Sequence, residues 1–135
     1  RGHKQTKLSA FKCVEELDAG PIYLQENLSL NGTAHEIFLR ASKLIESMII
    51  KIISERPKPL EQKGDVVMFQ RRTPEQGNLS EIQSLDEVFN FIRMLDADGY
   101  PSAFINIGHL KLEFSKASLK KKNVIAQVKI SQLEE

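Results

Sequence analysis

The stretch that most restricts what this 135-residue chain can fold into runs from residue 33 to residue 57. Thr33 is followed three positions later by Glu36, the spacing at which each side chain answers the other's orphan backbone N–H at the start of a helix. Behind this pair Ile37, Phe38, Ala41, Leu44, Ile45, Met48, Ile49, Ile52 and Ile53 recur at helical spacing, until Arg56-Pro57 bars continuation. The pattern predicts a long amphipathic helix, and its apolar stripe requires a covering surface.

Two strands are expected before that helix. Residues 7–14, KLSAFKCV, alternate loosely between apolar and polar, and residues 22–30, IYLQENLSL, carry Ile22, Leu24, Leu28 and Leu30. Between them lies the sequence Leu17-Asp18-Ala19-Gly20-Pro21. Gly20 is expected to supply unusual backbone angles, and Pro21 fixes its own φ while restricting its neighbour, so Asp18 stands at a sharp, stiff corner. Residues 57–65, with two prolines, a glycine and several charges, are expected to link a first unit (1–56) to a second (66–135).

The second unit is expected to open with a strand at VVMFQRR (66–72) and a turn-rich TPEQGN. Ser84 with Glu87 repeats the capping signature, and Leu85, Val88, Phe89, Ile92 and Leu95 predict a second amphipathic helix, closed by Asp98-Gly99 and Pro101. Three strands then follow in SAFINI, HLKLEFSKAS and NVIAQVKI, separated by Gly108 and by Lys120-Lys121-Lys122-Asn123. The fold class is therefore α+β, the second unit being a small antiparallel sheet or open barrel with one helix packed on it.

Charge and cysteine content narrow the function classes. Nineteen Lys and Arg against eighteen Asp and Glu leave a formal charge of +1, so the overall field gives no reason to expect a polyanionic partner. The lone Cys13 can build neither an internal disulfide nor a cysteine zinc site, which fits a reducing, cytoplasmic setting. No apolar run reaches the roughly 18 residues that would span a bilayer. His3, His35 and His109 are far apart with no carboxylate or cysteine at ligand spacing, so no metal site is expected. Nucleic-acid contact by Lys120, Lys121 and Lys122 is the lesser reading of a hairpin loop.

A carboxylate at a rigid corner can be aimed into a cleft, which suits Asp18 to proton transfer; the alternative is a turn residue held by an Asx hydrogen bond. Glu15 and Glu16 read from spacing alone as solvated strand-end residues. Arg71 and Arg72, beside Phe69, are suited either to a phosphate or to a solvated strand edge.

The segment VEELDAGPIYLQENLSLNGTAHEIFLRASKLI resembles the later part of the catalytic domain of the folate-dependent formyltransferases, in which Leu-Asp-x-Gly precedes an apolar strand. A second segment, FQRRTPEQGNLSEIQSLDEVFNFIRMLDADGYPSAFINIGHLKLEFSKAS, resembles the beginning of the C-terminal domain found in the family's methionyl-tRNA and amino-sugar members. The resemblance covers about Lys4 to about Ser118. It implies the end of an α/β catalytic domain, two strands and a long helix, joined to a β-rich, OB-like domain carrying one helix. It further implies 10-formyltetrahydrofolate as cofactor, Asp18 as the catalytic aspartate, and Val14, Glu15, Glu16, Leu17 and Asp18 as the backbone bordering its pterin.

The family's Asn-x-His pair is missing: no Asn stands two positions before His3, His35 or His109. The chain also begins Arg1-Gly2-His3-Lys4 without Met. The expectation is the C-terminal half of a longer enzyme, inactive without its N-terminal half. From residue 57 to residue 135 eleven basic residues balance eleven acidic ones, which favours a small amine acceptor, such as a nucleotide-linked amino sugar contacted by Arg71 and Arg72, over initiator tRNA. A non-catalytic binding module is the reading from another class.

Overall fold

The computed structural model describes residues 2–133, and its elements form two compact units. One comprises residues 3–31 and 37–69; the other comprises residues 32–36 and 70–133 together with the N-terminal Gly2.

In the first unit, β1 (Gln5–Phe11) pairs antiparallel with β2 (Ile22–Ser29), Gln5 facing Ser29 and Ala10 facing Leu24. β1 ends three residues earlier than its sequence pattern predicts. The register slips between Ala10 and Phe11, after which Cys13 and Val14 leave the sheet and lie exposed. The helix α1 (Ala34–Glu55) follows, its first turn grouped with the other unit. Its start is built as expected: Glu36 N–H donates to Thr33 Oγ1 at 3.2 Å and Thr33 N–H donates to Glu36 Oε2 at 2.8 Å. Gly32 sits at φ +87°, in the left-handed region that favours glycine, and an added Cβ would push aside the Glu36 carboxylate that caps the helix. Arg40 fixes the preceding turn by donating to the carbonyls of Ser29 and Asn31. Ile37 and Met48 are buried, whereas Ile50 and Ile53 remain 61% and 69% exposed.

The second unit holds α2 (Leu85–Leu95) against a three-stranded antiparallel sheet in the order β3 (Ala103–Ile107), β4 (Leu110–Lys120), β5 (Asn123–Gln132). Ser84 caps α2: its Oγ accepts from Glu87 N–H at 3.2 Å and donates to Glu87 Oε2 at 2.9 Å. The core centres on Leu79, Ile92 and Ala103, with Val88, Phe91 and Phe114 packed around them. Lys116 sits at φ +49° where β4 bulges between Ser115 and Ser118, and the Asp96 carboxylate secures the bulge by accepting Lys116 N–H at 2.7 Å.

The strand expected at 66–72 does not form. Val66–Arg72 is irregular, with Val66 88% and Met68 85% exposed, because β propensity yields a strand only where a neighbouring backbone completes a ladder, and this segment pairs with none.

Candidate functional site

The corner at Asp18 is closed by main-chain bonds at its base and clamped by a distant side chain. Lys12 N–H donates to the Pro21 carbonyl at 2.8 Å, drawing the two strand ends together. Ile22 and Leu60 exchange N–H to carbonyl bonds of 2.7 and 2.9 Å, which bring residues 60–62 alongside β2. Gln62 then donates from one amide nitrogen to two carbonyls, that of Asp18 at 2.7 Å and that of Gly20 at 2.8 Å. Segment 57–65 is thereby attached to this corner.

The sequence reading assigned the unusual backbone to Gly20, and the structure corrects this. Asp18 itself adopts the left-handed region, at φ 56°, a conformation that Asp tolerates better than most residues. Gly20 is buried and serves by size: an added Cβ would overlap the Lys12 carbonyl. Pro21 accepts rather than donates, consistent with its missing N–H.

Val14, Glu15, Glu16, Leu17 and Asp18 are all exposed along one loop, Leu17 at 90%. Among the described residues no hydrogen bond reaches the Asp18 carboxylate, so the Asx bond of the alternative reading is absent and the exposed side chain is left open. The corner thus presents a run of open backbone, an exposed apolar side chain and an unpaired carboxylate. Such a set can hydrogen-bond a planar polar ring along the backbone while the carboxylate holds or accepts a proton.

Arg71 and Arg72 belong to the other compact unit. Both are exposed, and the Arg72 guanidinium lies 4.8 Å from the centre of the Phe91 ring. His35 is exposed in the first turn of α1, and among the described residues no group of His, Cys, Asp and Glu could hold a metal. Near it, Thr33, Glu36, Asp96 and Lys116 line a shallow depression, but Glu36 is committed to the α1 cap and Asp96 to the β4 bulge.

Two residues with evident structural roles had no signal in the sequence. Gln62 lies 42 and 44 positions from the carbonyls it clamps, inside a polar stretch with no periodicity. Arg93 is 7% exposed and donates to Asn90 Oδ1 at 2.8 Å and to the Gly32 carbonyl at 2.9 Å; burial pushes its pKa down from the usual value.

Residues 74–131 match the family described as methionyl-tRNA formyltransferase, C-terminal domain. A solved structure, methionyl-tRNA formyltransferase from Clostridium thermocellum, is 47% identical with a TM-score of 0.93, covering 97% of this chain and 58% of that one. Methionyl-tRNA formyltransferases from Gluconobacter oxydans and Lactobacillus acidophilus are 28% identical over 120 residues and 30% identical over 125. In both cases 87% of this chain aligns with 39% of the relative. The fold and these likenesses define a formyltransferase C-terminal portion. The relatives that place it there are methionyl-tRNA formyltransferases, and the chain spans well under half the length of those two curated relatives.

Proposed function

We propose that the chain is the C-terminal half of a 10-formyltetrahydrofolate-dependent formyltransferase that moves a formyl group to the primary amine of methionyl-tRNA. The observation that carries the reading is the clamped corner at Asp18, a stiff turn whose exposed loop and unpaired carboxylate sit where the formyltransferase resemblance requires its aspartate. The backbone of residues 14–18 would border the pterin; the cofactor, when bound, supplies the formyl carbon. Asp18 would offset the positive charge that develops on the nitrogen as the amine attacks the formyl carbon and would take up the proton that nitrogen then gives up, and the stiff corner keeps its carboxylate from reorienting. Gly20 and Gln62 position that corner, while the Asn-x-His pair would come from the N-terminal half.

Uncovered apolar surface supports the need for such a half. Ile50, Ile53 and Leu17 are 61%, 69% and 90% exposed in the unit that carries Asp18, apolar surface that an N-terminal half would have available to cover. The named relatives favour methionyl-tRNA as acceptor over the amino sugar that charge balance alone suggested. The second reading rests on that balance, eleven basic against eleven acidic residues from 57 onward.

The discriminating experiment is a formylation assay of the full-length protein containing this segment, with methionyl-tRNA and a nucleotide-linked amino sugar as competing acceptors. Preferential labelling of methionyl-tRNA supports the proposal. Labelling of the sugar alone assigns the small-amine reading, and labelling of neither acceptor overturns both.

A further inference from the structure

The turn that joins β2 to α1 carries Asn31-Gly32, the one place in the sequence where glycine follows asparagine. The pairing matters chemically, because the backbone nitrogen of the next residue can attack an asparagine side chain, and glycine has no Cβ to obstruct the approach. Both residues are exposed. Among the described residues no hydrogen bond engages the Asn31 side-chain amide or the Gly32 N–H, so both reacting groups are open. The other asparagines are hindered. Asn78 Oδ1 accepts from Ser80, and Asn90 Oδ1 accepts from Arg93. Asn27, Asn106 and Asn123 lie in strands, each followed by a bulky apolar residue.

Arg40 sets this turn further apart. Its guanidinium donates to the main-chain carbonyl of Asn31, and to that of Ser29 at 3.2 and 3.3 Å. The Asn31 carbonyl and the Gly32 N–H belong to one peptide unit. When that N–H loses its proton, resonance spreads the negative charge onto the carbonyl oxygen, where a cation already donates. A charge-assisted bond so placed stabilises the amidate, which is the attacking species.

We infer that Asn31 is a site of spontaneous deamidation promoted by Arg40. The Gly32 nitrogen, its proton given up to solvent, bonds to Asn31 Cγ. The Cγ–Nδ2 bond breaks, and Nδ2 takes a proton from solvent and leaves as ammonia, closing a succinimide. Water then opens the ring. Addition at the main-chain carbonyl breaks its bond to the Gly32 nitrogen and gives isoaspartate, whereas addition at Cγ gives aspartate. Nothing is oxidised or reduced, and water is the only co-reactant. In isoaspartate the new carboxylate forms on the carbon whose oxygen Arg40 held, so an ion pair arises in place and favours that product. The backbone there is longer by a methylene, which draws the Gly32 carbonyl away from Arg93, its donor at 2.9 Å. The inference does not depend on formyl transfer.

The test is incubation of the full-length protein containing this segment at neutral pH, followed by peptide mapping with electron-transfer fragmentation, which separates isoaspartate from aspartate at each asparagine. Conversion at residue 31 should outpace conversion at every other asparagine. Arg40→Met, which keeps an unbranched stem and removes the cation, should slow it at least about 10-fold, and Arg40→Lys should keep most of the rate. In urea the three proteins should convert at one common rate, because the unfolded chain holds no cation on the Asn31 carbonyl. Three results overturn the inference: conversion at residue 31 no faster than at Asn27 or Asn78, native Arg40→Met converting as fast as the unaltered protein or faster, or differences among the three proteins that persist in urea.

Discussion

Replacing Gln62 by Leu isolates the clamp on the candidate site, because Leu keeps much of the side-chain volume and removes both donors. The two bonds run to the carbonyls of Asp18 and Gly20 at 2.7 and 2.8 Å. The bond to Asp18 is exposed and that to the buried Gly20 is itself only part-buried, so each contributes toward the low end of the usual net value, about 0.5–1 kcal/mol. Losing both should favour local opening of the corner by about 1–2 kcal/mol, which is a factor of roughly 5–30 in the opening equilibrium. The assay is amide hydrogen exchange of Lys12, Ile22 and Leu60, whose N–H groups bond across the base of the corner and whose rates should rise by that factor. The β3–β4–β5 sheet, which belongs to the other unit, should exchange as before. Gln62→Glu should loosen the corner further, because it sets carboxylate oxygens against two carbonyl oxygens. Unchanged exchange at Lys12, Ile22 and Leu60 in both variants would refute the assignment of Gln62 as the element that stiffens the corner.

Three further outcomes follow from the second unit. Ser84→Ala removes the α2 cap and should lower stability by about 1 kcal/mol in urea unfolding, with Ser84→Asp recovering most of the loss. Ile92→Ala empties the centre of the core, where Ile92 is 1% exposed, and should cost about 2–5 kcal/mol by the same measurement. Glu113 is held below the usual carboxylate range by the hydrogen bond from Lys111, with Lys129 adding to the effect. Its folded pKa is depressed, so its stabilising contribution is full above the ordinary carboxylate pKa and is lost as pH falls through the lower folded value. Glu113→Gln should therefore lower stability at neutral pH, by less than about 1 kcal/mol for so accessible a pair, and the difference should vanish in strong acid.

What the sequence disclosed was what neighbouring residues decide between themselves. Thr33 with Glu36 and Ser84 with Glu87 span three positions each, and both helix starts form as their spacing predicts. The three strands after α2 are legible because turn residues punctuate their apolar alternation, and the turn at Lys121-Lys122 joins β4 to β5. Val66–Phe69 misleads because a strand is a property of a pair, and its β-forming side chains cannot reveal that no ladder accepts them. At the corner the sequence marks Gly20 without saying why: the need comes from the Lys12 carbonyl, eight positions away, and the strained φ falls on Asp18 instead. Gln62 and Arg93 escape notice for the same physical reason. Their distant partners are backbone carbonyls, which every residue carries, so no side-chain pattern advertises the long-range pairing.

The central claim is that Asp18 is the carboxylate of a formyl-transfer site. It is tested most directly by single-turnover formylation in the full-length protein containing this segment, comparing the unaltered protein with Asp18→Asn. Asn preserves the size of the side chain and its tolerance of the left-handed backbone, so the corner should hold and exchange at Lys12, Ile22 and Leu60 should be unchanged. Loss of the charge that receives the proton should slow turnover by about 10²–10⁴-fold. Turnover within a few-fold of the unaltered protein, with the corner intact, would contradict the account.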